Sequence, residues 1–122
     1  MKSIKHRQLQ ELVKNYYKEL GWFATEEHSV NGKRKDVLAQ NIKTKYAVAN
    51  EIELSPRHCL ENIRRDFKVG CNEVIIICEN KTTLKEIKKK TKIYLDEYLL
   101  SKVRFRLINE LIPHIHIRDD TK

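Results

Sequence analysis

The sequence predicts an α/β domain in which a central mixed β-sheet is flanked by helices. Its start has the spacing of an amphipathic helix, and three apolar segments separated by short polar turns follow it. Further on, Glu73–Cys78 is a continuous run rich in β-branched residues, which predicts a strand buried on both faces and therefore helices on both sides of the sheet. The 122 residues are the size of one domain, and we expect residues 1–122 to form one.

The first half of the chain predicts a helix followed by three strands. Ser3 is the expected cap and Gly21 the expected end of a helix whose apolar positions recur with helical spacing: Leu9, Leu12, Val13, Tyr16, Tyr17 and Leu20. Asn31-Gly32 favours a tight hairpin, because both residues tolerate positive φ. The strands are expected at Trp22 to Val30, Lys33 to Gln40 and Tyr46 to Leu54.

The second half predicts a helix, a parallel strand, and an appended helix and strand. Ser55 and Pro56 suit the cap and first position of the helix that Gly70 ends. Its right-handed crossover would set the Glu73–Cys78 strand parallel to the third strand. Thr83-x-x-Glu86 fits a capping box for the next helix, and Val103 to Leu107 an edge strand. The inward face of that helix is expected to carry Leu84, Ile87, Thr91, Tyr94, Leu95 and Tyr98.

Three acids mark the second and third strands. Glu51 and Glu53 point the same way as Ala47 and Ala49, because side chains alternate across a strand, while Val48, Ile52 and Leu54 take the packed face. If the register brings Asp36 beside them, three carboxylates converge and repel one another unless a cation or shared protons compensate. Hard oxygen ligands suit Mg²⁺ or Mn²⁺. The alternatives are an edge acid paired with a lysine for Asp36, and a solvated polar face for the two glutamates.

This pattern resembles the PD-(D/E)XK nuclease superfamily, whose signature is an Asp on one strand and (Asp or Glu)-x-Lys on the next. Asp36 and Glu51 fit the two acids, and Glu53 stands where the Lys usually does, a Glu-x-Glu variant that some restriction enzymes share. The Glu-Ile-Glu-Leu-Ser segment followed by a basic helix is also similar to small archaeal and mobile-element nucleases and to Holliday-junction resolvase-like proteins. The resemblance covers roughly residues 4 to 80 and implies an αβββαβ restriction-endonuclease-like core.

The resemblance also implies a function. We expect a metal-dependent DNA endonuclease that acts on branched or duplex DNA. Asp36, Glu51 and Glu53 would be its catalytic residues and would bind Mg²⁺ or Mn²⁺. The resemblance also implies a possible homodimer, because two strands must be cut. A cation from the helix after Glu53, Arg64 or Arg65, would replace the missing Lys. The rival is a non-catalytic nucleic-acid-binding or assembly module that retains the nuclease fold.

The charge of the chain favours a polyanionic partner. Its formal net charge is +8, and 34% of its residues are charged. We expect DNA to contact a set of cations near the three acids: Lys33, Arg34, Lys35, Arg57, Arg64, Arg65 and Lys68. A lysine-rich surface with no partner is the alternative interpretation. Lysines 85, 88, 89, 90 and 92 form a further stripe, either solvated or in contact with phosphates.

The cysteines, the apolar runs and the histidines bear on the compartment and on possible further sites. Three cysteines without a Cys-x-x-Cys spacing, no signal-peptide core and no apolar run of about 18 residues predict a cytoplasmic protein with no membrane partner. His6 borders the first helix's apolar stripe, and an exposed histidine is the more ordinary interpretation. His114 and His116 favour exposed strand positions over a metal pair.

Overall fold

The structure, a computed structural model, describes the backbone of residues 4–28 and 35–110 and the side chains of residues 7–26 and 37–110. The elements follow one another as α1 (Ile4–Glu19), β1 (Phe23–His28), β2 (Lys35–Gln40), β3 (Ala47–Ile52), α2 (Cys59–Lys68), β4 (Glu73–Cys78), α3 (Lys81–Tyr94), α4 (Glu97–Leu100) and β5 (Val103–Leu107). The predicted order of helices and strands is therefore confirmed except for the short helix α4, which was not predicted.

The five strands form one mixed sheet in the order β1-β2-β3-β4-β5. β1, β2 and β3 pair antiparallel, whereas β3, β4 and β5 pair parallel. β3 lies in the centre, where the antiparallel half meets the parallel half. This arrangement confirms an α/β fold with a central mixed sheet, and it places β5 at an edge as predicted.

Each face of the sheet packs its own apolar cluster. The face toward α1 buries one cluster: Leu9, Val13, Tyr17, Ala24, Val37, Ala39, Ile52, Ile77 and Ile108. The face toward α2 and α3 buries the other: Ala49, Cys59, Ile63, Val74, Ile76, Cys78, Ile87, Leu95 and Val103. Ile76 and Ile77 belong to opposite clusters, so β4 is covered on both faces as its β-branched run predicts.

Two glycines follow the ends of α1 and α2, as expected. Gly21 has φ 84° and Gly70 has φ 107°, a backbone conformation that side chains with a Cβ rarely adopt.

Two helix starts differ from the prediction. Ser55 and Pro56 form a turn, and α2 begins only at Cys59 with His58 at its cap position. The Ser55 hydroxyl accepts a bond from Arg57 N (3.4 Å), so it stabilises the turn rather than the helix. For α3 the cap is Asn80, whose side chain accepts a bond from Thr83 N (2.8 Å). An Asn is as good a cap as a Thr, and this one begins the helix a turn earlier.

Four residues expected on packed faces are exposed, and one of them is Leu20, just past the end of α1. α3 ends at Tyr94, and Asp96 caps the separate helix α4, so Tyr94 and Tyr98 turn to solvent. Leu54 is also exposed, because β3 ends at Ile52 and the chain turns before the alternation can continue. The Asn31-Gly32 hairpin, Pro113, His114 and His116 lie outside the described residues.

In the part of the chain that the structure describes, no helix is long and apolar enough to span a membrane.

Candidate functional site

Two glutamates are buried where the central strand ends. Glu51 is 2% exposed and Glu53 is 8% exposed. Glu51 is opposite Ile76 in the parallel β3–β4 ladder, and the Glu53 N–H donates to Ile77 O (3.0 Å), so the chain stays extended past the end of β3. Their burial excludes the solvated polar face. A buried carboxylate is costly unless other groups compensate it, so two of them at one strand end need compensating partners.

The alternation along β3 assigns these glutamates to the α2 side of the sheet. Asn50 bonds to Tyr17 of α1, so its neighbour Glu51 faces the other way, and Glu53 bonds to Asn62 of α2. Side chains two residues apart on one strand face are separated by about 6.6 Å along the strand.

The backbone register bears on Asp36. In the β2–β3 ladder Val37 is opposite Asn50 and Leu38 is opposite Ala49. Continued by one pair, this register puts position 36 opposite Glu51, and directly opposed residues of an antiparallel pair share a sheet face. The side chain of Asp36 lies outside the described residues, so the predicted convergence of three carboxylates stays a prediction.

Asn62 and two thiols surround Glu53. Asn62 Nδ2 donates to Glu53 Oε2 (2.9 Å), which ties the carboxylate to the first turn of α2. Burial raises the pKa of the Cys59 thiol, the charge of Glu53 raises it further, and Lys90 partly opposes the shift. Burial and then Glu53 raise the pKa of Cys78 to about 12. Both thiols are thus neutral at physiological pH, and the oxygens of the glutamates are the stronger ligands at this site.

The cation that reaches this neighbourhood comes from α3. Lys90 is half-buried, its Nζ lies 3.4 Å from Pro56 O, and its charge acts on Cys59 together with that of Glu53. Arg64, which the sequence suggested for this role, instead donates from its guanidinium to Tyr94 O (2.8 Å). The sequence places Lys90 in a stripe of five lysines, and nothing in that stripe marks it as the one that reaches the turn after β3.

The remaining cations that were predicted to bind DNA either lie on the surface or fall outside the described residues. Arg57 is exposed in the turn before α2, and Arg65 and Lys68 are exposed on α2 with Arg64. Lys35 begins β2, but its side chain is not among those described, and Lys33, Arg34 and the side chain of His6 also fall outside. The exposed cations of α2 therefore belong to the same helix as Asn62, which bonds Glu53.

A buried polar residue of α1 was missed in the sequence. Gln10 is 0% exposed, and neither atom of its amide has a hydrogen-bond partner in the part of the chain that the structure describes. Only apolar residues of the α1 stripe were expected in the core, yet Gln10 lies one turn before the buried Val13 with the same helical spacing. That spacing was the available signal.

The donor chemistry at the end of β3 fits a hard divalent ion. Carboxylate and amide oxygens are the ligands that Mg²⁺ and Mn²⁺ prefer. Among residues 7–26 and 37–110, no three His, Cys, Asp or Glu side chains are grouped so as to hold a metal, so a complete site would need a ligand from elsewhere, such as Asp36. The chain matches no family model, no curated protein and no solved structure.

Proposed function

We propose that the protein is a Mg²⁺- or Mn²⁺-dependent endonuclease acting on DNA, with Asp36, Glu51 and Glu53 as its acidic residues. The observation that carries the proposal is the burial of Glu51 and Glu53 on one sheet face, at the end of the central strand. A fold that needed only stability would place apolar residues there, because two like charges held in a poorly solvated position cost free energy. A bound divalent cation is the simplest compensation.

Each residue has a distinct part in this proposal. Asp36 and Glu51 would hold the metal, which supplies a polarised phosphoryl group and an activated water when it is bound. Glu53, fixed by Asn62, would orient or deprotonate the attacking water. Lys90 would stabilise negative charge on the phosphate as it develops, the part that a lysine in the Glu53 position has in the superfamily that the sequence resembles. The exposed cations of α2 would neutralise the DNA backbone.

The decisive experiment compares cleavage by the wild type with that by Glu51→Gln and Asp36→Asn. Both substitutions keep the side-chain shape and remove the charge that a metal needs. We expect each to lower Mg²⁺-dependent cleavage of branched, duplex or single-stranded DNA by at least about 100-fold, while DNA binding stays equal or becomes tighter because a negative charge that repels phosphate is lost. Glu19→Gln, an exposed carboxylate on α1, is the matched control and should cleave normally.

A thermal measurement separates the proposal from its rival. Mg²⁺ or Mn²⁺ at about 100 times its Kd should stabilise the wild type by about 2.7 kcal/mol through linkage, and should leave the Asp36→Asn/Glu51→Gln double variant unchanged. A wild type that binds DNA but shows neither a metal-dependent rise in Tm nor cleavage of any of the three DNA forms would be a non-catalytic binding module that retains the acids for another reason.

A further inference from the structure

A groove opens beside the glutamates, between the turn after β3 and the C-terminal half of α3. Its volume is about 340 Å³, and it is lined by Pro56, Glu86, Lys89, Lys90, Ile93 and Tyr94. Lys90 connects the two walls, since its Nζ lies 3.4 Å from the Pro56 carbonyl oxygen. Pro56 follows Glu53 by three residues, so one wall of the groove belongs to the turn that directly follows the buried glutamates.

Tyr94 presents an aromatic ring to solvent from a fixed backbone. It is 60% exposed and is the last residue of α3. Its carbonyl oxygen, one of those that a helix end leaves without an intrahelical partner, accepts a bond from the Arg64 guanidinium (2.8 Å). Arg64 thus acts as a positioning residue for Tyr94. An exposed ring with a held backbone is suited to stacking on a planar ligand, because little conformational freedom remains to be lost.

The charge around the ring is complementary to a polyanion. Lys89 and Lys90 line the groove against the single carboxylate of Glu86, and Arg64 adds a third positive charge at the Tyr94 carbonyl. Aromatic rings among cations are the combination that holds unpaired nucleic-acid strands, whose bases stack while phosphates contact lysines. A paired duplex keeps its bases stacked internally and offers none to Tyr94.

We propose that this groove binds an unpaired nucleic-acid strand, with one base stacked on Tyr94 and the adjacent phosphates beside Lys89 and Lys90. The inference rests on the proposed function in one respect: the groove delivers the strand to Glu51 and Glu53. It deepens that function by assigning the substrate class, a strand that is single or locally unpaired, as at a branch or a flap.

Fluorescence anisotropy in EDTA, without cleavage, tests the proposal with labelled DNA of about 20 nucleotides, the same sequence as RNA, and the DNA duplex. Tyr94→Ala should weaken binding of the single strand by about 5- to 100-fold, the loss of one stacked base, and should change duplex binding by less than about twofold. Tyr94→Phe keeps the stacking face and should bind within about twofold of the wild type.

Tyr98→Ala is the matched control. Tyr98 is also exposed, at 70%, but lies on α4 with its ring centroid 5.3 Å from Lys102 Nζ, away from the groove. It should bind as the wild type does. Equal losses for Tyr94→Ala and Tyr98→Ala, or an equal loss on duplex and single strand, would overturn the groove assignment. So would a Tyr94→Ala variant that binds normally.

The lysines give a second, independent readout. Lys89→Gln/Lys90→Gln should reduce the slope of log K against log salt on single strands by about 1.4, or 0.7 for each phosphate contact. Lys85→Gln/Lys92→Gln, also exposed on α3 but not lining the groove, should change that slope less. Equal changes would mean diffuse electrostatics and would overturn the phosphate contacts.

The two proposals fail separately. A wild type that binds single strands through Tyr94 but never cleaves would keep the groove and reject the nuclease. A wild type that cleaves, and whose cleavage and single-strand binding do not depend on Tyr94, would keep the nuclease and reject the groove. The arm that binds more tightly, DNA or RNA, identifies the strand, and no binding of either at low salt would overturn the groove outright.

Discussion

The two faces of the sheet bury polar groups of the same strand in different ways. On the α1 face, Asn50 is 1% exposed and its side chain makes three hydrogen bonds: Tyr17 Oη donates to it (3.0 Å), and its amide donates to Val37 O (3.1 Å) and Val48 O (3.4 Å). On the α2 face the neighbouring buried residues are Glu51 and Glu53, which carry charge. One face buries a neutral amide whose partners belong to the fold, and the other buries two carboxyl groups, which are the metal ligands of our proposal.

The difference suggests what each face is for. A neutral amide bonded on both its oxygen and its nitrogen fixes β3 against α1 and β2. Burial raises the pKa of the Tyr17 hydroxyl, and the bond that this hydroxyl donates to Asn50 only partly opposes the rise. A carboxylate, by contrast, can accept several hydrogen bonds, one of which Asn62 donates to Glu53, and it can also bind a cation. Both faces bury an apolar cluster, and we propose that the α2 face carries the chemistry in addition.

The largest expected effect tests that division with one substitution made on each face. Asn50→Ala leaves the buried Tyr17 hydroxyl without its acceptor, so we expect the free energy of unfolding to fall by about 2–4 kcal/mol. Asn62→Ala removes the half-buried amide that bonds Glu53, and we expect a loss of about 1 kcal/mol or less. Urea denaturation in EDTA measures both, and cleavage measures function.

The division also predicts opposite functional outcomes for the two variants. Cleavage by the folded fraction should suffer in Asn62→Ala, which releases Glu53, and not in Asn50→Ala. If Asn62→Ala proved the more destabilising and Asn50→Ala the more damaging to cleavage, the roles assigned to the two faces would be reversed.

The fold could be predicted largely because each element carries its own local signal. The β-branched run predicts β4, and the two glycines predict the ends of α1 and α2, each from only a few residues. The structure confirms these predictions. Helix starts were less predictable, since Ser55-Pro56 has the composition of a helix start but serves a turn. The helix instead begins at Cys59, and the side chain of His58 at its cap position makes no capping bond, so no local capping pattern marks this start.

Period-two spacing is enough to predict that Glu51 and Glu53 share one face of the sheet, but it does not predict what surrounds them. The approach of Lys90 to Pro56 joins residues 34 positions apart, and Arg64 bonds a carbonyl 30 positions away. Contacts of that length depend on how α2 and α3 pack together, which no local pattern records.

A smaller effect is expected from Gln10, the exception on the α1 face. Its buried amide lacks partners among the described residues, unlike that of Asn50. Gln10→Met keeps a similar volume and removes the unsatisfied groups, so we expect a gain of about 1 kcal/mol in the free energy of unfolding and a Tm higher by a few degrees. Gln10→Glu, which adds a charge in the same place, is the control and should destabilise. A loss of stability in Gln10→Met would show that the amide is satisfied in solution.

The smallest expected effect is a loss of folding stability at alkaline pH, caused by a thiol on the α2 face. Cys78 is 1% exposed, and burial followed by the charge of Glu53 raises its pKa to about 12. In the unfolded chain this thiol has its ordinary pKa of about 8.5, so it ionises there at a lower pH than in the folded protein. The contribution of the neutral thiol to the free energy of unfolding is therefore fully present below about pH 8.5 and is lost as the pH rises toward 12. Between pH 7 and pH 9 this thiol should cost about 0.5–1 kcal/mol of stability.

The variant Cys78→Ala isolates that contribution. It creates a small cavity and is less stable at every pH, but its loss between pH 7 and pH 9 should be smaller than that of the wild type by about 0.5–1 kcal/mol. Cys71→Ala, at a half-buried position in the loop before β4, is the control and should follow the wild type more closely. Denaturation curves at the two pH values give the difference directly. Parallel losses in the wild type and Cys78→Ala would mean that the thiol beside Glu53 titrates normally, and that this face is better solvated than the burial of its side chains indicates.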